Sequence, residues 1–279
     1  MRSPRWHKLP LSSISAGAES LRSIKLSQKI VKLFEEDGHI CLFLTGLVEG
    51  EGIPSNQLVI VNHGEAALFD PGGELTYTPL SIELSKHISL KALRYVFASH
   101  QDPDIITSLP RWLMHTDCKV VTSRLWARFL PHLVSSFVSG NMNKGLVNRL
   151  VELPDEGAQV KLGQSHIKAI PAHFLHSVGN FHFYDPVSKI LFSGDVGAAM
   201  TPGEDHEPVT NMQEHIPLMA GFHKRYMASN VACRKWVNTV RKLDIEKIVP
   251  QHGKPIFGKP HIAQFLAWFE DLECGIDLM

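Results

Sequence analysis

The sequence predicts an α/β fold in which two β-sheets pack face to face with helices on the outside, an αββα sandwich. Short apolar runs typical of strands come in two sets, and each set is accompanied by segments with the apolar spacing of helices. Layers in this order bury the apolar face of each sheet against the other sheet and against the helices. The two halves of the chain are similarly ordered, and no tandem repeat is evident.

Length and composition are those of one globular domain. The chain has 279 residues, of which 44% are hydrophobic and 20% charged, so that it is neither largely disordered nor fibrous. We divide it into an N-terminal extension, residues 1–27, and one domain, residues 28–279. Basic and acidic residues both number 28, and a chain without net charge has no global field that would attract nucleic acid or an anionic membrane.

The cysteines and the hydropathy pattern predict a cytoplasmic protein. The four cysteines lie far apart and form no CxxC pair, which argues against a zinc ribbon or a disulfide framework. No apolar run reaches the roughly 18 to 20 residues of a membrane span. The start of the chain also lacks the long apolar segment of a secretory signal. We therefore expect reduced thiols and no membrane association.

The first half of the chain predicts antiparallel strands followed by alternating helices and strands. Apolar runs predict strands at 39–44, 57–61 and 66–69, and the turn Asn62-His63-Gly64 predicts a hairpin between the last two. Further along we predict a helix at 77–90, a buried strand at 93–98, a helix at about 105–115, a strand at 119–122 and a helix from 123 to about 137.

The second half predicts a further set of strands that ends in helices. We predict strands at 148–153, 158–162, 166–170, 180–184 and 189–192, a helix at about 216–242, a strand at 247–249 and a helix at 260–272. The five strands that begin at residue 148 are expected to form the second sheet.

Residues typical of metal ligands follow four of the predicted buried strands. Histidine is the commonest transition-metal ligand, and the chain contains 16. Taken singly, each motif is also typical of a turn with an Asx cap or of a β-turn. Because α/β folds place their sites at sheet edges, the recurrence at four strand ends predicts one shared metal site. The candidates are His100, Asp102 and Asp104 after the first strand, His173 and His176 after the second, Asp195 after the third and His252 after the fourth.

The order of these motifs resembles the metallo-β-lactamase superfamily. The pattern is His-x-acid-x-Asp, a distant His, Ser-Gly-Asp and Pro-x-His-Gly, preceded by Asp70-Pro-Gly-Gly73, and it covers about residues 38–275. The chain is most similar to the diiron branch, the flavodiiron proteins and the oxygen-binding diiron proteins, because Asp102 replaces the second histidine of the hydrolase motif. The resemblance implies the metallo-β-lactamase fold.

The resemblance also implies a ligand set for two metal ions. Carried over by position, it assigns His100, Asp102 and His176 to one ion, Asp104 and His252 to the other, and Asp195 to both as a bridge. His173 competes with His176 for the third position. The separation of His176 from Asp195 resembles the spacing of the family, which makes His173 a neighbour of the ligands in the pocket.

Two departures from the family pattern affect the choice of metal. Asp102 is shorter than the glutamate usual in flavodiiron proteins, and Ile105 stands where the hydrolases commonly have a histidine. The second metal ion would then keep open coordination positions. A mixed oxygen and imidazole shell with open positions suits iron or manganese, although affinity rank alone favours zinc. We expect two Fe ions, with two Zn ions as the alternative.

The implied function is that of a nonheme diiron protein that binds O2 or NO. Flavodiiron proteins reduce such ligands with the flavin of a fused flavodoxin domain, and this sequence ends at Met279, soon after the metal-binding motifs. We therefore expect an oxygen sensor, or an oxidase/reductase module that works with an external electron donor or a signalling partner protein. Whether it is a homodimer stays open.

Two other functions remain open at this point. One is a dinuclear zinc hydrolase, in which a metal-bound hydroxide attacks an ester, thioester or phosphodiester. The other is a metal-stabilised binding protein without turnover, for which a large exposed apolar patch would be expected.

Several residues outside this set carry weaker expectations. His182 is expected to be a half-exposed strand residue, and the segment 203–225, with three histidines, is a candidate lid of the pocket. Tyr226 is expected to pack its ring on the sheet, with hydrogen bonding to a bound ligand as the alternative. Asp70 is expected to brace the loop after residue 98 through backbone amides without being a ligand.

Overall fold

The computed structural model describes residues 29–48, 52–135, 140, 145–201 and 206–279. These residues form two β-sheets packed face to face with helices on both outer surfaces, as predicted. The predicted extension, residues 1–27, lies outside the described residues. No helix in the described part of the chain is both long enough and apolar enough to cross a bilayer.

The first sheet has seven strands in the order β1-β2-β3-β4-β5-β6-β7. Strands β1 to β4 are antiparallel neighbours, and β4 to β7 run parallel. The bounds are β1 Ile30–Glu36, β2 His39–Leu44, β3 Gln57–Asn62, β4 Glu65–Phe69, β5 Leu93–Phe97, β6 Lys119–Ser123 and β7 Leu150–Leu153.

The second sheet has six strands in the order β13-β12-β11-β10-β9-β8. Neighbouring strands are antiparallel except β11 and β12, which run parallel. The bounds are β8 Ala158–Leu162, β9 Ser165–Pro171, β10 Phe181–Asp185, β11 Ile190–Phe192, β12 Lys247–Val249 and β13 Ile256–Phe257.

Helices cover the outer face of each sheet. Those on the first sheet are α1 Glu74–Ser85, α2 Pro103–Ile106, α3 Leu109–His115 and α4 Arg124–Ala127, and those on the second are α5 Met212–Tyr226, α6 Asn230–Val240 and α7 Lys259–Glu270. Single 3-10 turns lie at Leu90–Ala92, Leu130–Leu133, Leu146–Arg149 and Gly275–Leu278.

Three apolar layers hold these elements together, one between the sheets and one under each set of helices. The layer between the sheets is rich in aromatic rings. Phe97 stacks on Phe69 at a centroid distance of 4.7 Å and meets Phe183 of the opposite sheet edge-on at 4.9 Å. Rings of opposite sheets in direct contact fix the spacing between the two halves of the sandwich.

Phe97→Ala should therefore lower the free energy of unfolding by about 3–5 kcal/mol, because it removes a fully buried ring from the layer between the two sheets and leaves a cavity. Urea denaturation followed by circular dichroism measures the change. Phe129→Ala, at a half-exposed position, is the matched control and should cost less than about 1 kcal/mol. Equal losses in the two variants would contradict the role given to Phe97.

The predicted strands are close to the observed ones, except that the short β13 was not predicted and that there are two larger differences. The strand predicted at 148–153 was placed in the second sheet, whereas β7 pairs in parallel with β6 and closes the first sheet. Strand β1 was not predicted, although Asp37 and Gly38 form a two-residue hairpin turn in front of β2. Both turn residues have positive φ, at 44° and 76°, as an Asp-Gly hairpin requires.

Three predicted long helices are each interrupted. The helix at 105–115 divides into α2 and α3, because the Ser108 N–H donates to the Gly72 carbonyl instead of continuing the helical ladder. The helix from 123 to about 137 is reduced to α4 and a 3-10 turn at Pro131, which has no N–H and restricts the residue before it. Its predicted end, from 136 on, lies outside the described residues.

The helix predicted at 216–242 divides into α5 and α6. The break falls at Ala228, whose N–H donates to the Phe174 carbonyl in the loop after β9. This loop also carries His176. The hydrogen bond at the break therefore connects the helical layer to the edge of the sheet where the candidate ligands lie.

Candidate metal centre

The six side chains predicted to bind metal lie together at one edge of the sandwich. The loop after β5 carries three of them, and the loops after β9, β11 and β12 carry one each. The site thus joins the two sheets, since β5 belongs to the first sheet and the other three strands to the second. They are His100, Asp102, Asp104, His176, Asp195 and His252.

Four of these side chains form a tight group. His176 Nε2 lies 2.9 Å from Asp195 Oδ2 and 3.4 Å from Asp102 Oδ2. His100 Nε2 lies 3.5 Å from Asp195 Oδ2 and 3.7 Å from Asp102 Oδ2. All four ligand-type atoms fall within 4.8 Å of one another, which is the spacing of donors around one metal ion.

The other two side chains form a second group that shares Asp195 with the first. His252 Nε2 lies 3.3 Å from Asp104 Oδ2 and 3.5 Å from Asp195 Oδ1. Asp195 therefore turns one carboxylate oxygen to each group, an arrangement typical of a carboxylate that bridges two cations. Ile105, at the position where the hydrolases have a histidine, is fully buried and offers no ligand atom.

His100 is oriented by a chain of hydrogen bonds that starts at Asp70. The Ser99 hydroxyl donates to Asp70 Oδ2 at 2.7 Å, so its oxygen is free to accept from His100 Nδ1 at 2.9 Å. The Ser99 N–H donates to the other oxygen of Asp70, also at 2.7 Å, in agreement with the predicted bracing role. With its one proton on Nδ1, the neutral ring directs the Nε2 lone pair into the site.

His252 is oriented in the same way by the main chain. Its Nδ1 lies 2.7 Å from the Pro54 carbonyl, to which it donates, and Nε2 again faces the carboxylates. The next residue, Gly253, has a φ of +80°, and a Cβ there would lie 2.7 Å from the Ala199 carbonyl oxygen. Only glycine fits behind His252 at this close approach of two loops.

Asp195 sits in a tight turn that α5 supports. The turn closes with the Ala198 N–H donating to the Asp195 carbonyl, and the Gly197 N–H donates to His223 Nε2 at 2.9 Å. His223 can accept there because its Nδ1 donates to the Met219 carbonyl. The sequence analysis missed this role of His223 and placed the residue only in a candidate lid.

Asp102 and Asp104 lie at the start of α2. The Asp102 carbonyl accepts from the N–H groups of Ile105 and Ile106, but its side chain makes no capping bond. The carboxylate is therefore not used as an Asx cap, which was the competing interpretation of this motif, and it faces the histidines instead.

The electrostatics of the site follow from carboxylates and imidazoles in close contact. Burial opposes a charge on His100, but the negative charge of Asp195 and the close approach of the Asp102 carboxylate outweigh it and raise the pKa of His100 to about 10. The same balance raises the pKa of His176 to about 9. The imidazoles of His100 and His176, which face its carboxylate, hold the pKa of Asp102 well below its ordinary value.

The residues present fit two metal ions. His100 Nε2 and Asp195 Oδ1 are buried and have no hydrogen-bond partner, an arrangement that costs about 1–3 kcal/mol per atom unless something satisfies them. Both atoms face the centre of the site. Three imidazoles and three carboxylates without a thiolate form the oxygen and nitrogen ligand set that suits iron, manganese or zinc.

The two histidines that competed for one position lie in different surroundings. His176 belongs to the group around Asp195, whereas His173 Nε2 bonds to the Asp155 carbonyl at 2.9 Å and its ring meets Phe181 edge-on. Tyr226 does not pack on the sheet as expected, because it is 54% exposed. Its ring stacks on Phe222 and stands 5.5 Å from the His176 ring.

The expectation for His182 was also wrong. Its side chain is completely buried, its ring meets Trp236 edge-on, and burial lowers its pKa to about 3. Of the candidate lid, the described part from residue 206 on leads into α5, whose His215 and His223 are buried. Residues 203–205 lie outside the described part of the chain.

A second group of ligand-type atoms, His39, Cys41 and Asp185, lies at the opposite end of the sandwich. The Asn62 amide oxygen accepts from the Gln164 N–H, so its NH2 donates to His39 Nδ1 and leaves the proton of the ring on Nε2. That proton points to Asp185 Oδ2 at 2.7 Å. The nitrogen nearest the other two side chains thus already serves as a donor, and we interpret this far-end cluster as a contact that ties the two sheets together.

The chain matches a known protein family. A family model described as "ODP family beta lactamase" matches residues 53–253. A curated relative, "Uncharacterized protein MJ0732" of Methanocaldococcus jannaschii, is 23% identical over 220 residues, which are 76% of this chain and 51% of that protein. The chain thus spans about half the length of this relative.

Solved structures of two kinds share the fold. The chain is 38% identical to "Apo state of chemotaxis sensor ODP from T. denticola", with a TM-score of 0.75. The match covers 89% of this chain and 96% of that one. A structure titled "Peroxy diiron species of chemotaxis sensor ODP" matches with a TM-score of 0.77 at the same identity and covers 89% of this chain and 97% of that one. The rubredoxin oxygen:oxidoreductase of Desulfovibrio gigas is 15% identical, with a TM-score of 0.71, and covers 86% of this chain and 61% of that one, which shows the fold alone.

Proposed function

The chain belongs to the ODP family of β-lactamase-fold proteins, and from that premise we propose that it is a nonheme diiron protein that binds O2 or NO as a sensor. The observation that carries the proposal is the placement of Asp195, which turns one oxygen to each of two ligand groups. A chemotaxis sensor with a peroxy diiron state, 38% identical over most of both chains, supports the same conclusion.

We assign each group of side chains to one metal ion. His100, Asp102 and His176 would hold the first iron, Asp104 and His252 the second, and Asp195 would bridge them. A pair of ferrous ions supplies electrons and open coordination positions for a diatomic ligand. Those positions are expected at the second iron, because this group has a single imidazole and Ile105 adds no ligand atom.

A sensor is supported more strongly than a reductase. The similarity to the chemotaxis sensor extends over 97% of that chain, whereas the flavodiiron proteins are less similar and are matched over about 61% of their length. We further propose a cytoplasmic location, since all four cysteines are buried and free, and a signalling partner protein or electron donor that acts on this chain.

Anaerobic loading with ferrous iron tests the proposal. We expect about two irons per chain, and a pulse of air should produce a visible charge-transfer band that the apoprotein does not show. A protein that takes up two zinc ions in preference to iron, stays colourless in air and cleaves a thioester would contradict the proposal and support a zinc hydrolase instead.

A further inference from the structure

A hydrogen-bonded chain of three side chains leads from the protein surface to Asp102. Trp126 Nε1 lies 3.1 Å from Ser177 Oγ, Ser177 Oγ lies 2.7 Å from Gln101 Oε1, and Gln101 Nε2 lies 3.1 Å from Asp102 Oδ1. Trp126 belongs to α4 and Ser177 follows His176 in the loop after β9. These hydrogen bonds therefore join elements packed on both sheets beside the candidate metal centre.

The direction of every hydrogen bond in this chain is determined by the indole. A tryptophan Nε1–H can only donate, so the Ser177 oxygen accepts there and the Ser177 proton is donated to Gln101. This fixes the Gln101 amide with its oxygen towards Ser177 and its NH2 towards Asp102. An amide orientation that is otherwise ambiguous is thus settled by its neighbours.

Gln101 separates the two oxygens of Asp102 into different roles. Oδ1 accepts from the Gln101 amide, while Oδ2 faces His100 and His176 at 3.7 and 3.4 Å. The Asp102 side chain is about one-third exposed and makes no capping bond with α2. Without Gln101, little would prevent this short carboxylate from rotating towards solvent.

We propose that Gln101 is a positioning residue that holds Asp102 as a one-oxygen ligand of the first metal ion. Ser177 and Trp126 act through Gln101, because they orient its amide. This inference rests on the proposed function, in which Asp102 is a ligand of that ion. Residues that orient a ligand from outside typically change metal affinity about 10–100-fold when removed.

Titration with Co2+ tests the inference, because cobalt reports its coordination by visible absorption. Gln101→Ala should weaken one of the two cobalt sites about 10–100-fold and leave the other unchanged. Ser177→Ala should weaken the same site by less. The double variant should be no weaker than Gln101→Ala, because Ser177 acts only through Gln101. Gln159→Ala, an exposed glutamine on β8, is the matched control and should bind as the wild type does.

Three results would count against the inference. Unchanged affinity at both sites in Gln101→Ala would show that Asp102 holds its position unaided. An equal loss at both sites would show a general structural effect, and additive losses in the double variant would show that Ser177 acts separately. A wild-type chain that binds no pair of ions would instead overturn the proposed function, and this inference with it.

Discussion

Asp195→Ala should abolish the binding of both metal ions. Its carboxylate has one oxygen 2.9 Å from His176 Nε2 in the first group and the other oxygen 3.5 Å from His252 Nε2 in the second. Removal of the bridge takes a negative charge from both groups and leaves the cations to repel each other. Metal analysis after equilibrium dialysis should change from about two ions per chain to none.

The control for this variant is Asp155→Ala, in which an exposed aspartate is removed from a nearby strand connection. It should keep full metal content. Retention of one ion by Asp195→Ala would mean that one of the two groups binds alone, and retention of both would show that the assignment of the bridge was wrong. Circular dichroism should establish in each case that the variant is folded.

Metal binding should release protons and become tighter as the pH rises. The pKa values of His100 and His176 are raised to about 10 and 9, and that of His252 is also raised, so each ring binds a proton until the pH exceeds its pKa. A metal ion binds only the neutral ring and must displace that proton. Asp102 and Asp195, whose pKa values are lowered, are already ionised and release none.

At about pH 6, below even the ordinary histidine pKa, we expect about three protons to be released as both ions bind. The affinity for the pair should then rise up to about 1000-fold per pH unit at that pH and less steeply at higher pH, as each ring loses its proton. Calorimetry with Zn2+ in buffers of different ionisation enthalpy counts the protons. His252→Ala should release about one proton fewer, and a release that does not depend on His252 would contradict this explanation.

The sequence predicted which side chains meet at one edge of the sandwich, because metal binding would impose residue types that the chain does not otherwise need at strand ends. Four strands end in such residues, and the structure brings all six side chains together. The choice of His176 over His173 needed the resemblance to a known family, since both follow the same strand. The supporting contacts of Gln101, Ser177 and His223 depend on side chains from distant parts of the chain, and spacing in the sequence does not reveal these contacts.

The errors in the fold have local physical causes. Apolar periodicity continues through Ala228 and Ser108, and only hydrogen bonds to other loops end the helices there. Strand β7 directly precedes β8 in the chain and was therefore grouped with the second set of strands, although it pairs with β6. His182 was misjudged because alternation with aromatic residues is typical of a half-buried strand, whereas both faces of β10 are covered. Strand β1 was the avoidable error, since the Asp37-Gly38 turn is visible in the sequence.

The far-end cluster restricts which motions can follow a change at the metal centre. β10 starts beside Ser99, where the Phe181 N–H donates to the Ser99 carbonyl, and Asp185 lies four residues further on, about 13 Å away along the strand. His39 and Asp185 join the sheets there, and in the proposed metal-bound state the ligands would join them at the other edge, so that the sheets would be held at both ends. A change at Asp195 would then reach the rim through Gly197 and His223 into α5. For the proposed sensor, we therefore expect a signalling partner to recognise a shift of this helix and not a tilt of one sheet against the other.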